Sequence, residues 1–169
     1  AWDMQEHCQA LLAERGFEQY EVSAYARAGR QCRHNLNYWA YGDYLGIGAG
    51  AHGKVTFGHD GSILRRWKQR HPARYLASAG TPENIGGDDR VAPPQRAFEF
   101  MLNALRLVEG FGLDTFELRT GLPRTTIQPR LEAASARGWL EIAGDRVRPT
   151  PLGRRFTNDV VSLFLDPPA

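Results

Sequence analysis

The sequence predicts a chain in two parts, an α/β segment followed by a small, mostly helical domain of winged-helix outline. Three observations carry this. Residues 1–15 have helical periodicity (Trp2, Cys8, Leu11, Leu12), Gly16 follows, and residues 17–25 (FEQYEVSAY) alternate and are rich in aromatics. Helix, glycine and strand therefore meet as in a β/α unit. Residues 80–94 (GTPENIGGDDRVAPP) hold proline, glycine and acid with little apolar content, the clearest change of composition in the chain. Beyond them Phe98, Met101, Leu102, Leu105 and Val108 recur at helical spacing over residues 95–109. The first part is thus placed at residues 1–80, a linker at 81–93 and the second domain at 94–169.

The remaining elements follow in order. Residues 27–34 are polar and predict a loop, and residues 44–47 a short strand running into Gly46, Gly48, Gly50 and Gly53. Residues 54–57 and 63–67 flank His59-Asp60-Gly61-Ser62, a hairpin signal built on Asp-Gly. A short helix begins at Pro72, where a missing N–H costs nothing. In the second domain Gly110 and Gly112 stop the long helix. Residues 113–119 and 125–137 then give two helices joined at Gly121-Leu122-Pro123. A hairpin spans Gly144-Asp145, and residues 152–164 close the chain as one helix.

Composition bounds the function. Hydrophobic residues at 42% and charged residues at 24% are ordinary globular values over 169 residues, enough for a core. A net charge of +2 gives no footprint of a dedicated nucleic-acid binder. No apolar run approaches the roughly 20 residues that cross a bilayer, and no signal peptide is visible, which predicts a soluble, cytoplasmic chain. Cys8 and Cys32 are too few for a secreted disulfide scaffold or an iron–sulfur site, which wants three or four thiolates. The opening helix starts in mid-stride without a cap, as expected of a fragment of a longer protein or of a processed N-terminus.

The densest chemistry lies in residues 31–54, QCRHNLNYWAYGDYLGIGAGAHGK. His34-Asn35 and Tyr38-Trp39 put an imidazole, an amide and two large aromatics close together in the expected loop. The strand after Asp43-Tyr44 ends in Gly46, Gly48 and Gly50, with Ala49 and Ala51 between and beyond them. Small residues there either make a tight turn between packed elements or let a ligand approach bare N–H groups. No Walker lysine follows, and no G-x-G-x-x-G heads a βαβ unit, so neither nucleotide fingerprint applies.

Taken together, the runs E-V-S-A-Y-A, H-N-L-N-Y-W and G-D-Y-L-G-I-G-A-G-A-H-G-K resemble the late barrel segment of the HemW heme chaperones. These are relatives of the oxygen-independent coproporphyrinogen III oxidases. An arginine-rich second hairpin strand, the E-F-M-L-N-A-L-R-L helix and T-P-L-G-R-R-F follow in the same order. The resemblance implies the end of a partial TIM barrel of radical-SAM type, then a small winged-helix-like domain. For the intact protein it implies S-adenosyl-L-methionine and a 4Fe-4S cluster on a Cx3Cx2C motif that this chain lacks. Heme is the implied cargo. It implies heme contact by His34, Asn35, Tyr38 and Trp39, with His34 a candidate ligand to the heme iron. It also implies an S-adenosylmethionine pocket touched by Leu36, Asn37, Gly48, Gly50, Ala51 and His52. His52 departs from the oxidases, which use an apolar residue there. Arg65, Arg66 and Lys68 either meet heme propionates or are simply solvated. Whether the intact protein is an enzyme of the coproporphyrinogen dehydrogenase type or a chaperone stays open. The implied partners are heme or a porphyrinogen, heme-receiving proteins and a second copy of the chain.

A reading of another class makes the second domain a nucleic-acid-binding or protein-docking module. Residues 119–155 carry eight arginines against Glu132, Glu141 and Asp145. Yet the second short helix offers few side chains suited to base edges, so nucleic acid is not expected, and a lid or docking surface is favoured.

Overall fold

The computed structural model describes residues 2–165. Every strand pairing in it is antiparallel, so the class is α+β, with helices beside three small sheets. The chain divides into two compact units, one of residues 42–96 and the other of residues 1–41 with 97–169. The division therefore does not fall at residues 80–94.

In the larger unit, α1 (Trp2–Glu14) ends at Gly16 as expected. The aromatic segment after it is not one strand. It folds into a hairpin of β1 (Glu18–Glu21) and β2 (Ala24–Ala26), because Val22-Ser23 turns the chain back on itself. The outer edge of β1 pairs with a distant segment. Val22 N–H donates to the Arg106 carbonyl at 3.0 Å and Val108 N–H to the Tyr20 carbonyl at 3.1 Å. These bonds tie residues 20–22 to residues 106–108, which explains why the hairpin belongs with the C-terminal half.

The amphipathic stripe forms α4 (Pro93–Ala104), whose Phe100, Met101 and Ala104 are fully buried. It ends five residues earlier than its periodicity suggests, since residues 106–108 leave the helix to pair with the hairpin. Next come β6 (Phe111–Gly112), α5 (Leu113–Thr120), α6 (Gln128–Ala136), β7 (Leu140–Ala143) and β8 (Arg146–Pro149), in sheet order β6-β8-β7. The long helix, two short helices and hairpin keep the winged-helix outline the sequence predicted, with the short strand β6 added. Phe100 anchors it, edge-on to Phe111 at 5.0 Å and to Phe116 at 5.2 Å. Each such pair contributes about 0.5–1.5 kcal/mol beyond its burial. The expected closing helix is broken into α7 (Pro151–Arg155) and α8 (Thr157–Ser162), because Phe156 sits outside helical geometry (φ −114°, ψ 36°).

The smaller unit is a three-stranded sheet, β3 (His52–Thr56), β4 (Ile63–Lys68) and β5 (Ile85–Arg90), in that order, with α3 (Pro72–Ala77) between the last two. The segment expected as a linker at 81–93 thus contains a strand. Its composition misled because it is complementary to β4 rather than disordered. Asp88 lies opposite Arg66 and takes both of its forked N–H groups at 2.6 and 2.7 Å. Gly87 leaves room for the Trp67 ring, which a Cβ would enter.

Candidate functional site

The string H-N-L-N-Y-W is helical, not a loop. Residues 33–39 form α2 (Arg33–Trp39), which carries neither proline, glycine nor β-branched residue to oppose a helix. Helical spacing then sorts the string onto two faces. His34 and Tyr38, four apart, are both exposed, with ring centroids 6.4 Å apart. No hydrogen-bond partner of the His34 imidazole occurs among the described residues. Asn35 and Trp39, also four apart, face inward. The Asn35 amide donates to the Tyr20 hydroxyl at 3.2 Å. The Trp39 ring lies under the Arg106 guanidinium, 4.3 Å from its centroid, with Tyr38 edge-on at 4.9 Å. The structure therefore brings His34 and Tyr38 together as a surface pair and commits Asn35 and Trp39 to packing.

Two turns of helix are marginal alone, and Cys32 at the N-cap makes no side-chain bond, so contacts elsewhere must hold α2. Besides the Asn35 bond to Tyr20, Tyr41 and Arg106 supply them, and Arg106 is a residue that sequence reasoning missed. Tyr41, just past the helix, adopts φ 56°, a left-handed conformation rare for a bulky side chain. It is fully buried, edge-on to Phe100, with its hydroxyl donating to Glu99 at 2.7 Å. Arg106 covers Trp39 and also pairs with Glu21 at 3.1 Å, a carboxylate only 2% exposed. The other Glu21 oxygen accepts from the Ser23 N–H and hydroxyl, which completes its coordination. The signal available for Arg106 was its place in E-F-M-L-N-A-L-R-L, but nothing in that run indicates a partner 85 residues away.

Leu36 and Asn37 also lie in α2, whereas Gly48, Gly50, Ala51 and His52 belong to the smaller unit. There the glycine-rich run makes one bridge, Tyr44 with Lys54, rather than a strand. Three of its amides are already used. Gly48 N–H donates to the Tyr75 hydroxyl, Gly50 N–H to the Gln69 carbonyl and Ala51 N–H to the Gly48 carbonyl. The bare donors expected of a cradle are absent at these three positions. Gly46 serves close packing, because a Cβ there would run into the His52 carbonyl. Gly48 sits at φ 114° with open space around its Cβ position. His52 is exposed and stacks on Trp67, its cross-strand partner, at 6.0 Å.

The same region holds a buried charge. Lys54, 3% exposed, donates to Asp43 at 3.0 Å, and Thr56 gives Asp43 its N–H and its hydroxyl. Burial pushes the Asp43 carboxyl up, but the Thr56 N–H and the Lys54 ammonium outweigh it and hold the group below the usual range. One sheet face, carrying Val55, Phe57, Leu64 and Lys68, lines a cavity of about 530 Å³ with Leu45 and Ile47. That size and lining suit a small, largely apolar ligand. Of the three strand cations, Arg66 is occupied by Asp88.

Several arginines of the winged-helix part have partners within the fold. Arg124 bridges Glu117 and Asp145, Arg148 pairs with Glu141, Arg146 donates to the Glu109 carbonyl, and Arg137 covers Trp139. Arg124 and Arg148 are thus paired with carboxylates, while Arg146 and Arg137 keep their charge against a carbonyl and a ring. Cys8 and Cys32 are exposed free thiols. No group of three or more His, Cys, Asp or Glu suited to a metal ion occurs among the described residues, so the chain's own side chains do not fit an iron–sulfur cluster. No helix of the described residues is long and apolar enough to cross a membrane.

Comparison with known proteins agrees with this architecture. Residues 91–156 match the HemN C-terminal domain. The chain is 44% identical over 164 residues to the heme chaperone HemW of Escherichia coli (strain K12), covering 97% of this chain and 42% of that protein. It is 42% identical over 164 residues to HemW of Haemophilus influenzae, with the same coverage. HemW of Mycobacterium tuberculosis is 36% identical over 159 residues, covering 92% and 37%. The chain therefore spans about two-fifths of the length of the curated relatives it matches. Among solved structures, the radical SAM enzyme coproporphyrinogen III oxidase (HemN) from Escherichia coli superposes with a TM-score of 0.65, over 96% of this chain and 40% of that one, at 13% identity. That likeness shows the fold. From the sequence matches, the chain belongs to the HemW-like family and corresponds to the C-terminal portion of its members.

Proposed function

We propose that the chain is the C-terminal portion of a heme-handling radical SAM protein, and that its contribution is a heme-contact surface on α2. The observation that carries this reading is the outward pair His34 and Tyr38 on a helix whose opposite face is fastened to the protein. A neutral imidazole with uncommitted nitrogens is a good axial ligand to heme iron, and a neighbouring aromatic ring can cover a porphyrin face. On this reading His34 is the ligand, Tyr38 a direct contact, and Asn35 and Trp39 support the helix.

S-adenosyl-L-methionine and a 4Fe-4S cluster belong to the proposed intact protein. The cluster needs thiolates from outside this chain. Leu36 and Asn37 in the larger unit, and Gly48, Gly50, Ala51 and His52 in the smaller, keep their proposed S-adenosylmethionine contacts on the strength of resemblance alone. Heme-receiving proteins, a second copy of the chain and a cytoplasmic setting, in keeping with two free thiols, complete the reading.

The test is a heme titration followed by Soret absorbance. His34→Ala should shift the band and weaken binding about tenfold or more, the cost of roughly 1.4 kcal/mol of ligation. Lys68→Ala should change neither. Unaltered affinity and spectrum in His34→Ala would place the ligand elsewhere, with His52 the next candidate.

A further inference from the structure

Arg106 and Glu21 do more than stabilise the fold. We propose that they are the positioning pair of the heme-contact helix: Arg106, clamped between the Trp39 ring and the buried Glu21 carboxylate, sets the rotation of α2 and so the outward aim of His34 and Tyr38. This inference rests on the α2 reading above.

The geometry is specific. Arg106 Nη2 donates to Glu21 Oε2 at 3.1 Å and to Ser23 Oγ at 3.3 Å, while the guanidinium carbon lies over the Trp39 ring, 4.3 Å from its centroid. The indole N–H of Trp39 has no acceptor among the described residues, so its neighbours hold the ring through its faces and edge rather than through that bond. No side chain of α2 is fully buried, and the helix lacks a side-chain cap, so the helix has little of its own to fix its rotation. Trp39 and Asn35 share a face, and His34 lies about one residue step round the helix from Asn35. A turn of α2 that released Trp39 would therefore swing His34 with it. Planarity matters as much as charge. Lysine can keep the ion pair to Glu21 but cannot stack a fork over an indole while hydrogen-bonding sideways.

Two measurements separate this inference from the reading beneath it. The first needs no heme. In a chain whose other tryptophans (Trp2, Trp67 and Trp139) are replaced by Phe, Trp39 emission is quenched with acrylamide. Arg106→Lys should raise the quenching constant of Trp39 while circular dichroism stays native. Because Arg106→Ala strands a buried carboxylate, the double variant Glu21→Gln/Arg106→Gln serves as the second, charge-free probe, and it should raise quenching too. Unchanged Trp39 quenching in both folded variants overturns the positioning role, whatever heme does.

The second measurement is a double-mutant cycle on heme binding. Arg106→Lys should weaken binding about tenfold in the parent, the size typical of groups that orient a metal ligand. It should have no further effect once His34 is Ala, because it acts through that residue. Equal losses in both backgrounds would show that Arg106 acts independently of His34 and would also overturn the inference. If His34→Ala alone leaves heme binding intact, the α2 reading fails while the quenching result still stands or falls by itself.

Discussion

The H-N-L-N-Y-W helix and the glycine-rich run were the two ligand-binding segments suggested by sequence, and the structure treats them in opposite ways. In α2 the backbone is satisfied by the helix itself, which frees side chains to project. His34 and Tyr38 do so. In residues 44–53 the small side chains let backbone approach backbone, and the amides of Gly48, Gly50 and Ala51 are consumed by that approach. A run of glycines near a strand end marks a place where the chain comes close to something. Here that something is the chain itself. Substitution should thus cost stability in the glycine-rich region and binding in the helix.

The largest expected loss is at the buried pair beside the glycine run. Asp43→Asn removes the carboxylate facing Lys54 and should destabilise the smaller unit by about 3 kcal/mol, the low end for a broken buried pair because Asp43 is itself 38% exposed. Hydrogen exchange of the β3 and β4 amides reads this directly. Exchange as slow as in the parent would mean that Lys54 is satisfied without Asp43.

Next come the glycines. Gly46→Ala drives a methyl into the His52 carbonyl and should cost about 1–3 kcal/mol, as overpacked sites do. Gly48→Ala has room and faces only backbone strain, so about 1 kcal/mol is expected. Urea melts of the two variants rank them. The reverse order would return Gly46 to the candidate ligand surface and Gly48 to the scaffold.

Acid should act on the same unit. The Asp43 carboxyl is held below its reference value of 3.8, so the unfolded chain binds its proton first. The stabilisation is complete above that reference value and is lost as pH falls through the lower, folded value. Protection of the β3–β4 amides should drop over that acid range in the parent and stay flat in Asp43→Asn. A parallel decline in both would assign the acid sensitivity to other carboxylates.

The smallest expected effect on stability is in the helix. His34→Ala and Tyr38→Ala change exposed side chains and should alter unfolding by no more than about 0.5 kcal/mol, even where heme binding changes. A loss several times that size in either melt would make the outward face part of the packing and erase the contrast between the two segments.

The sequence by itself determined the pieces whose signals lie within a few residues of one another. The start of α3 at Pro72, the β3–β4 hairpin at Asp60-Gly61 and the wing at Gly144-Asp145 formed where turn chemistry placed them, and the α4 stripe formed over most of its periodic run. The family was legible too, since its runs are contiguous strings. Tertiary structure alone decided what depended on partners far along the chain. Residues 86–89 read as linker because two glycines and two acids make a poor strand in isolation, yet opposite Trp67, Arg66 and Arg65 those are the residues that fit. The 17–25 segment became a hairpin tied to residues 106–108. Trp39 found Arg106, Tyr41 found Glu99 and Glu21 found Arg106, across separations of 58 to 85 residues. A local window sums propensities, whereas a buried ion pair or a ring under a guanidinium is a property of two positions at once, and no single stretch of sequence contains both.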